Sequence, residues 1–153
     1  WLCGNHDPVT SCTRGAAHEW TLDAAGRRTL LLHGDRFDWF VQHTPALARL
    51  ASWTGAAAGR MGASSVYAWL AAVDGWFNGH DRDPRRCAFV RRALALARAR
   101  GASTIVVGHD HNPLLWHAEG VTLVRPGACD AGRLRAARVD LLTGEAALVD
   151  EML

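Results

Sequence analysis

A chain of 153 residues is long enough for one domain with a real core, and 49% apolar with 21% charged residues excludes an intrinsically disordered segment. A formal net charge of +2, with histidines neutral, leaves no global basic field of the kind that binds nucleic acid or an anionic membrane. No stretch approaches the ~20 consecutive apolar residues of a helical membrane span, and Cys3, Cys12, Cys87 and Cys129 are too scattered for a Cys-x-x-Cys site, so they read as reduced, mostly buried thiols.

In chain order, Trp1 to Cys3 reads as the end of a strand running into Gly4-Asn5-His6-Asp7. The chain opens there without an initiator Met, as though entering in the middle of a strand. Residues 5–17 hold Pro8, Ser11, Thr13 and Gly15, which is the chemistry of a loop. A hairpin is expected next, with His18 to Leu22 and Arg28 to Leu32 flanking Asp23-Ala24-Ala25-Gly26, and Gly26 free to take a positive φ. Its second arm, Thr29-Leu30-Leu31-Leu32, is nearly continuous in apolar residues, as for a strand buried on both faces, and it ends on His33-Gly34-Asp35.

From about Phe37 to Arg100 the period becomes helical. Leu47, Leu50, Ala51 and Thr54 fall on one helical face, and Val66, Leu70, Val73 and Phe77 fall on another. A helix is expected to begin at Asp83-Pro84, an N-cap followed by proline in the first turn, with Val90, Leu94 and Ala97 lining one face and Gly101 ending it. Ser103 to Val107 then reads as a β-branched strand entering Gly108-His109-Asp110-His111. Strands are expected at Leu114 to His117, Val121 to Val124, Leu134 to Leu142 and Ala146 to Val149, with a turn at Thr143-Gly144. Periodicity therefore gives an α/β domain without internal repeats.

Three short motifs follow one another in this frame, and each sets Asn or His beside glycine. Amide oxygens and imidazole nitrogens suit divalent ions such as Mn²⁺, Zn²⁺ and Fe²⁺, and glycine allows the sharp turns that let such ligands converge at strand ends. A lone His-Gly-Asp is usually a turn, and a lone Gly-His-x-His can be two exposed histidines. The ordered set makes a metal site the leading hypothesis. His18, His43, His80 and His117 lack any ligand pattern.

The ordered set resembles the last three blocks of the calcineurin-like metallophosphoesterase superfamily. The resemblance covers nearly the whole chain and implies a β-sandwich flanked by helices, with ligands on loops at one sheet edge. Two further blocks, Asp-x-His and Gly-Asp-x-x-Asp, would precede Asn5, so residues 1–153 are expected to be the C-terminal part of a single such domain, with 37–100 as a helical cap insertion. The resemblance further implies hydrolysis of a phosphate ester or pyrophosphate by two divalent ions, Mn²⁺ first, with Fe²⁺ or Zn²⁺ as the other choices. Asn5, His33 and His109 would bind the second ion and His111 the first. His6 would face the phosphate and protonate the leaving oxygen, and Asp7 would hold its tautomer.

Four positions depart from that pattern: Asp110 stands where Thr is frequent, Asn112 where a basic residue is frequent, and in Arg125-Pro126-Gly127-Ala128 the Arg and Ala stand where an Asn-Pro-Gly-Ser loop has Asn and Ser. Asp110 would bond to nearby backbone, face solvent, or add negative charge near the ions; the Arg125 loop reads as structural. Asp35-Arg36-Phe37-Asp38 resembles the branch with UDP-2,3-diacylglucosamine pyrophosphatases. Arg36, Trp39 and Phe40 are the candidate substrate contacts, facing a small phosphoester or a nucleotide- or lipid-linked diphosphate. The plainer explanation, that Trp39, Phe40, Trp53, Tyr67, Trp69, Trp76 and Phe77 simply build a helical core, is preferred. The expected location is the cytoplasm or a membrane's periphery, in a bacterial-type protein. The rival readings are an inactive fragment and a catalytically dead binding scaffold.

Overall fold

The structure is a computed structural model that describes residues 2, 4, 17–60, 83–129 and 132–152. It is a mixed α/β arrangement built on one five-stranded sheet. The strands are β1 (Glu19–Ala24), β2 (Arg27–Leu32), β3 (Thr104–Val107), β4 (Leu114–Ala118) and β5 (Val121–Arg125), arranged in the order β1-β2-β3-β5-β4. The central β2, β3 and β5 run parallel, while β1 and β4 pair antiparallel at the two edges. Separate from it is a two-stranded antiparallel ribbon of β6 (Arg133–Val139) and β7 (Ala146–Met152).

Alternation along the central strands explains the core. Leu30, Leu32, Ile105, Val107, Val121 and Leu123 face one side and form a single apolar cluster with a covering helix, α3 (Ala88–Ala99). Val90, Leu94 and Ala97 are buried from that helix as its period requires, together with Phe89 and Ala93. Burying each large side chain of this cluster contributes about 1.5–3 kcal/mol. The opposite face carries Thr29, Thr104 and Thr122, buried and adjacent across three strands.

The ends of these elements follow local chemistry. Ala25 and Gly26 both take positive φ (49° and 73°), so the β1–β2 hairpin closes in two residues and both strands run further than expected. Gly101, at φ 65°, ends α3 in the paired pattern of a left-handed cap: Ala102 N–H bonds to Ala97 O at 2.8 Å and Gly101 N–H to Arg98 O at 3.0 Å.

One expectation is corrected. Asp83-Pro84 does not start the long helix. Asp83 closes a separate turn, its Oδ1 accepting from Arg85 N and its carbonyl from Arg86 N, after which buried Cys87 is extended (ψ 117°) and α3 begins at Ala88. An aspartate that caps its own turn satisfies the same donors as a helix N-cap, so the two are indistinguishable in sequence. Helix α2 (Pro45–Arg60) forms as its spacing predicts, preceded by the short α1 (Trp39–His43); its Leu47 and Leu50 are exposed, and among its described side chains Ala48 is the buried one. The second helical stripe, Val66 to Phe77, lies outside the described residues. No helix among the described residues is long and apolar enough to cross a membrane.

Candidate metal centre

Parallel pairing places Leu32 opposite Val107, so the residues that follow, His33-Gly34 and Gly108-His109, leave adjacent strands at the same end of the sheet. Two glycines let these loops touch. A Cβ on Gly34 (φ 103°) would lie 3.0 Å from Gly108 O and 3.4 Å from the His109 Cβ, and one on Gly108 would lie 3.2 Å from His33 O. The imidazoles of His33 and His109 therefore meet edge to face, with ring centroids 5.3 Å apart.

The third element arrives from the start of the chain. Leu2 bridges Ala17 in parallel, and two residues later a Cβ on Gly4 would fall 2.5 Å from His33 Nε2 and Cδ2. Only a glycine can lie so close to that ring. Asn5, His6 and Asp7 follow directly in sequence but lie outside the described residues. The fourth expected ligand, His111, is exposed on the loop beyond His109.

Each of the paired imidazoles faces a carboxylate. His109 Nε2 is 2.8 Å from Asp38 Oδ2, and Asp38 is almost completely buried. Facing a carboxylate, Nε2 carries the ring proton, which leaves the lone pair on Nδ1. His33 Nδ1 lies 3.6 Å from Asp35 Oδ1, an ion-pair distance rather than a hydrogen bond, and is buried without a hydrogen-bond partner. Burial pushes the Asp35 carboxyl up, but His33, His109 and the Arg36 backbone N–H outweigh it and hold the group below the usual carboxylate range. The end of the sheet thus pairs two imidazoles with two carboxylates.

His109 sits at φ 69°, a left-handed conformation uncommon outside glycine, with Asp110 N–H bonded back to Gly108 O at 2.8 Å. That is a γ-turn of the rare, strained kind. Asp110 neither faces solvent nor lies open toward the imidazoles. It is buried and ion-paired with buried Arg125, while its Oδ1 accepts from Asn112 N and Nδ2, each at 3.0 Å. Three of the departures from the motif pattern, Asp110, Asn112 and Arg125, are therefore partners.

Among the substrate candidates, Arg36 Nη1 is engaged by Glu19 Oε2 at 2.9 Å, and Trp39 stacks on His43 with centroids 4.7 Å apart. Phe40 lies on α1, and its side chain is outside the described residues. Sequence reasoning missed Asp38 as the partner of His109; the acid-aromatic-acid run Asp35-Arg36-Phe37-Asp38 was the available signal.

The donor chemistry fits a divalent ion in part. Imidazole nitrogens, one of them the orphaned buried Nδ1 of His33, are suitable donors, yet no group of three or more His, Cys, Asp or Glu converges as a ligand set among the described residues. No family model matches the chain, and no curated protein matches it. Among solved structures it is similar to an archaeal phosphodiesterase, at 12% identity and a TM-score of 0.47 over 97% of this chain and 66% of that one. It is also similar to a protein of Thermotoga maritima solved by NMR, at 16% identity and a TM-score of 0.47 over 99% of this chain and 64% of that one. The chain spans just under two thirds of the length of either.

Proposed function

We propose that this chain supplies part of a binuclear metal centre that hydrolyses a phosphate ester or pyrophosphate, within a metallophosphoesterase-type sandwich capped by helices. The observation that carries this reading is the meeting of His33 and His109 at the ends of adjacent parallel strands, with Gly4, the residue before Asn5, packed on the His33 ring. Strand-end loops at one edge of a sheet are where convergent ligands are held rigidly.

His33 and His109 would hold one ion with Asn5, and His111 would contribute to its neighbour. Paired divalent ions supply charge neutralisation to a phosphoryl group that otherwise repels a nucleophile. Mn²⁺ is the first choice, with Fe²⁺ and Zn²⁺ next. Asp38 fixes the His109 tautomer, and Asp35 balances the charge beside His33. His6, oriented by Asp7, would donate the proton that the leaving oxygen needs. The substrate is a small phosphoester or a nucleotide- or lipid-linked diphosphate.

The test is metal-dependent turnover of p-nitrophenyl phosphate and its bis ester by the protein. His6→Ala should lower the rate by ~10²–10⁴-fold, as expected for one lost general acid, while metal content stays near that of the parent. His33→Ala should lower both. Turnover indifferent to chelation, or metal lost as readily from His6→Ala as from His33→Ala, contradicts the reading.

A further inference from the structure

We propose that the buried Asp110–Arg125 pair is a positioning device: it bolts the loop after β3 to the end of β5 and so holds His109 in its strained turn, with its ring aimed at the site. This deepens the metal-centre reading and rests on it only for what the aimed ring binds.

The geometry makes the case from three sides. First, His109 at φ 69° is held by one short backbone bond, Asp110 N–H to Gly108 O, and a turn of this kind persists only where its surroundings enforce it. Second, the residue immediately after His109 is the one anchored. Asp110 reaches across to Arg125, the last residue of β5, whose neighbour Val124 is paired with Val106 of β3. The ion pair therefore ties a loop to the adjacent strand of the same sheet. Third, both ends of the pair are fixed by further contacts. Asp110 Oδ1 accepts from Asn112, and the Arg125 guanidinium lies 5.9 Å from the Phe89 ring centroid. Phe89 itself supports Gly34, whose Cβ would fall 3.1 Å from its Cζ. One buried unit thus braces the loop on both sides of His109.

A pair serving only stability is replaceable by neutral groups of similar shape, because removing both buried charges together is often without penalty. A pair that aims His109 is not. The decisive variant is Asp110→Asn/Arg125→Met, which keeps the Asn112 acceptor and the arginine's aliphatic stem but deletes the bond between strand and loop. Its fold is checked by melting, and Asp110→Asn alone is made in parallel.

The readout is the imidazole ¹⁵N and ring N–H spectrum of His109 in the metal-free chain, followed by calorimetric Zn²⁺ binding. The parent chain should show one tautomer with its Nε2 proton held downfield by Asp38. The folded double variant should lose that single signature and bind Zn²⁺ about 10- to 100-fold more weakly, the range seen when groups supporting a ligand are removed. An unchanged His109 spectrum in a folded double variant overturns the proposal. If the parent chain binds no Zn²⁺, the metal-centre reading fails, and the spectra alone decide the positioning claim.

Discussion

Asp38 divides its carboxylate between two tasks: Oδ2 lies 2.8 Å from His109 Nε2, and Oδ1 accepts the Val41 backbone N–H at 3.1 Å. The second bond caps α1, the first α-helix after the His33 loop, so that helix is fastened to His109 by a single residue. An asparagine caps a helix as well as an aspartate does, but its amide has one acceptor oxygen and one donor nitrogen. In Asp38→Asn, if the oxygen keeps Val41, the NH₂ faces His109 Nε2 and forces the ring proton onto Nδ1. The expected outcome is little change in thermal stability and Zn²⁺ affinity lower by about 10- to 100-fold, measured by calorimetry. Equal affinity for parent and variant would show that the tautomer is set elsewhere.

Gly4 offers an independent handle on the same site. A methyl group at that position would overlap the His33 ring, with Cβ only 2.5 Å from Nε2. The ring is partly exposed and can swing away, so Gly4→Ala should leave the melting temperature within a few degrees of the parent. The displaced ring no longer sits against His109, and Zn²⁺ binding should fall to the level of His33→Ala. Affinity like that of the parent would mean that the ring's place against Gly4 does not matter for binding.

Phe89 ties the core to the site. It is buried, stacks edge to face on Phe37 at 5.4 Å, and lies beneath the Gly34 turn and the Arg125 head group. Phe89→Ala should cost about 3–5 kcal/mol of folding stability, the usual range for a buried phenylalanine. Chemical denaturation checks the magnitude. A loss below about 1 kcal/mol would show that the site loops stand without this support.

The β6–β7 ribbon carries an acid-sensitive turn. Asp140 is held below the usual carboxylate range chiefly by the backbone N–H groups of Thr143 and Leu142. Because the folded value is depressed, its stabilising contribution is fully present above the unfolded carboxylate's pKa and is lost as pH falls through the lower, folded value. The Leu142 and Thr143 amide resonances should titrate together below the ordinary carboxylate range, and Asp140→Asn should abolish that titration. A midpoint at or above the ordinary value would contradict the assignment.

Much of the frame was legible in the residues themselves. Thr29 to Leu32 and Thr104 to Val107 announced buried strands by unbroken apolar and β-branched runs, and Val90, Leu94 and Ala97 announced the covered face of α3 by their spacing. These signals are local and follow from which atoms leave water. What stayed hidden depends on partners distant in sequence. Asp38 and His109 are 71 residues apart, and Asp110 and Arg125 join only because β3 and β5 are neighbours in the sheet. Leu47 and Leu50 mark a real helix, but periodicity cannot say whether an apolar stripe finds a partner, and theirs is exposed. Asp83-Pro84 misled for a different reason, since an aspartate satisfying a turn looks the same as one satisfying a helix.

On the proposed reading His33 and His109 act together on one divalent ion. The most direct measurement of this is calorimetric Zn²⁺ and Mn²⁺ binding to the chain as it stands, compared among the parent, His33→Ala, His109→Ala and the double variant. If both imidazoles serve one ion, each single variant should lose most of the affinity, and the double should lose little more than either, because ligands of one centre do not contribute additively. Affinity unchanged by either substitution, or losses that simply add, would place the ion somewhere other than between these two rings.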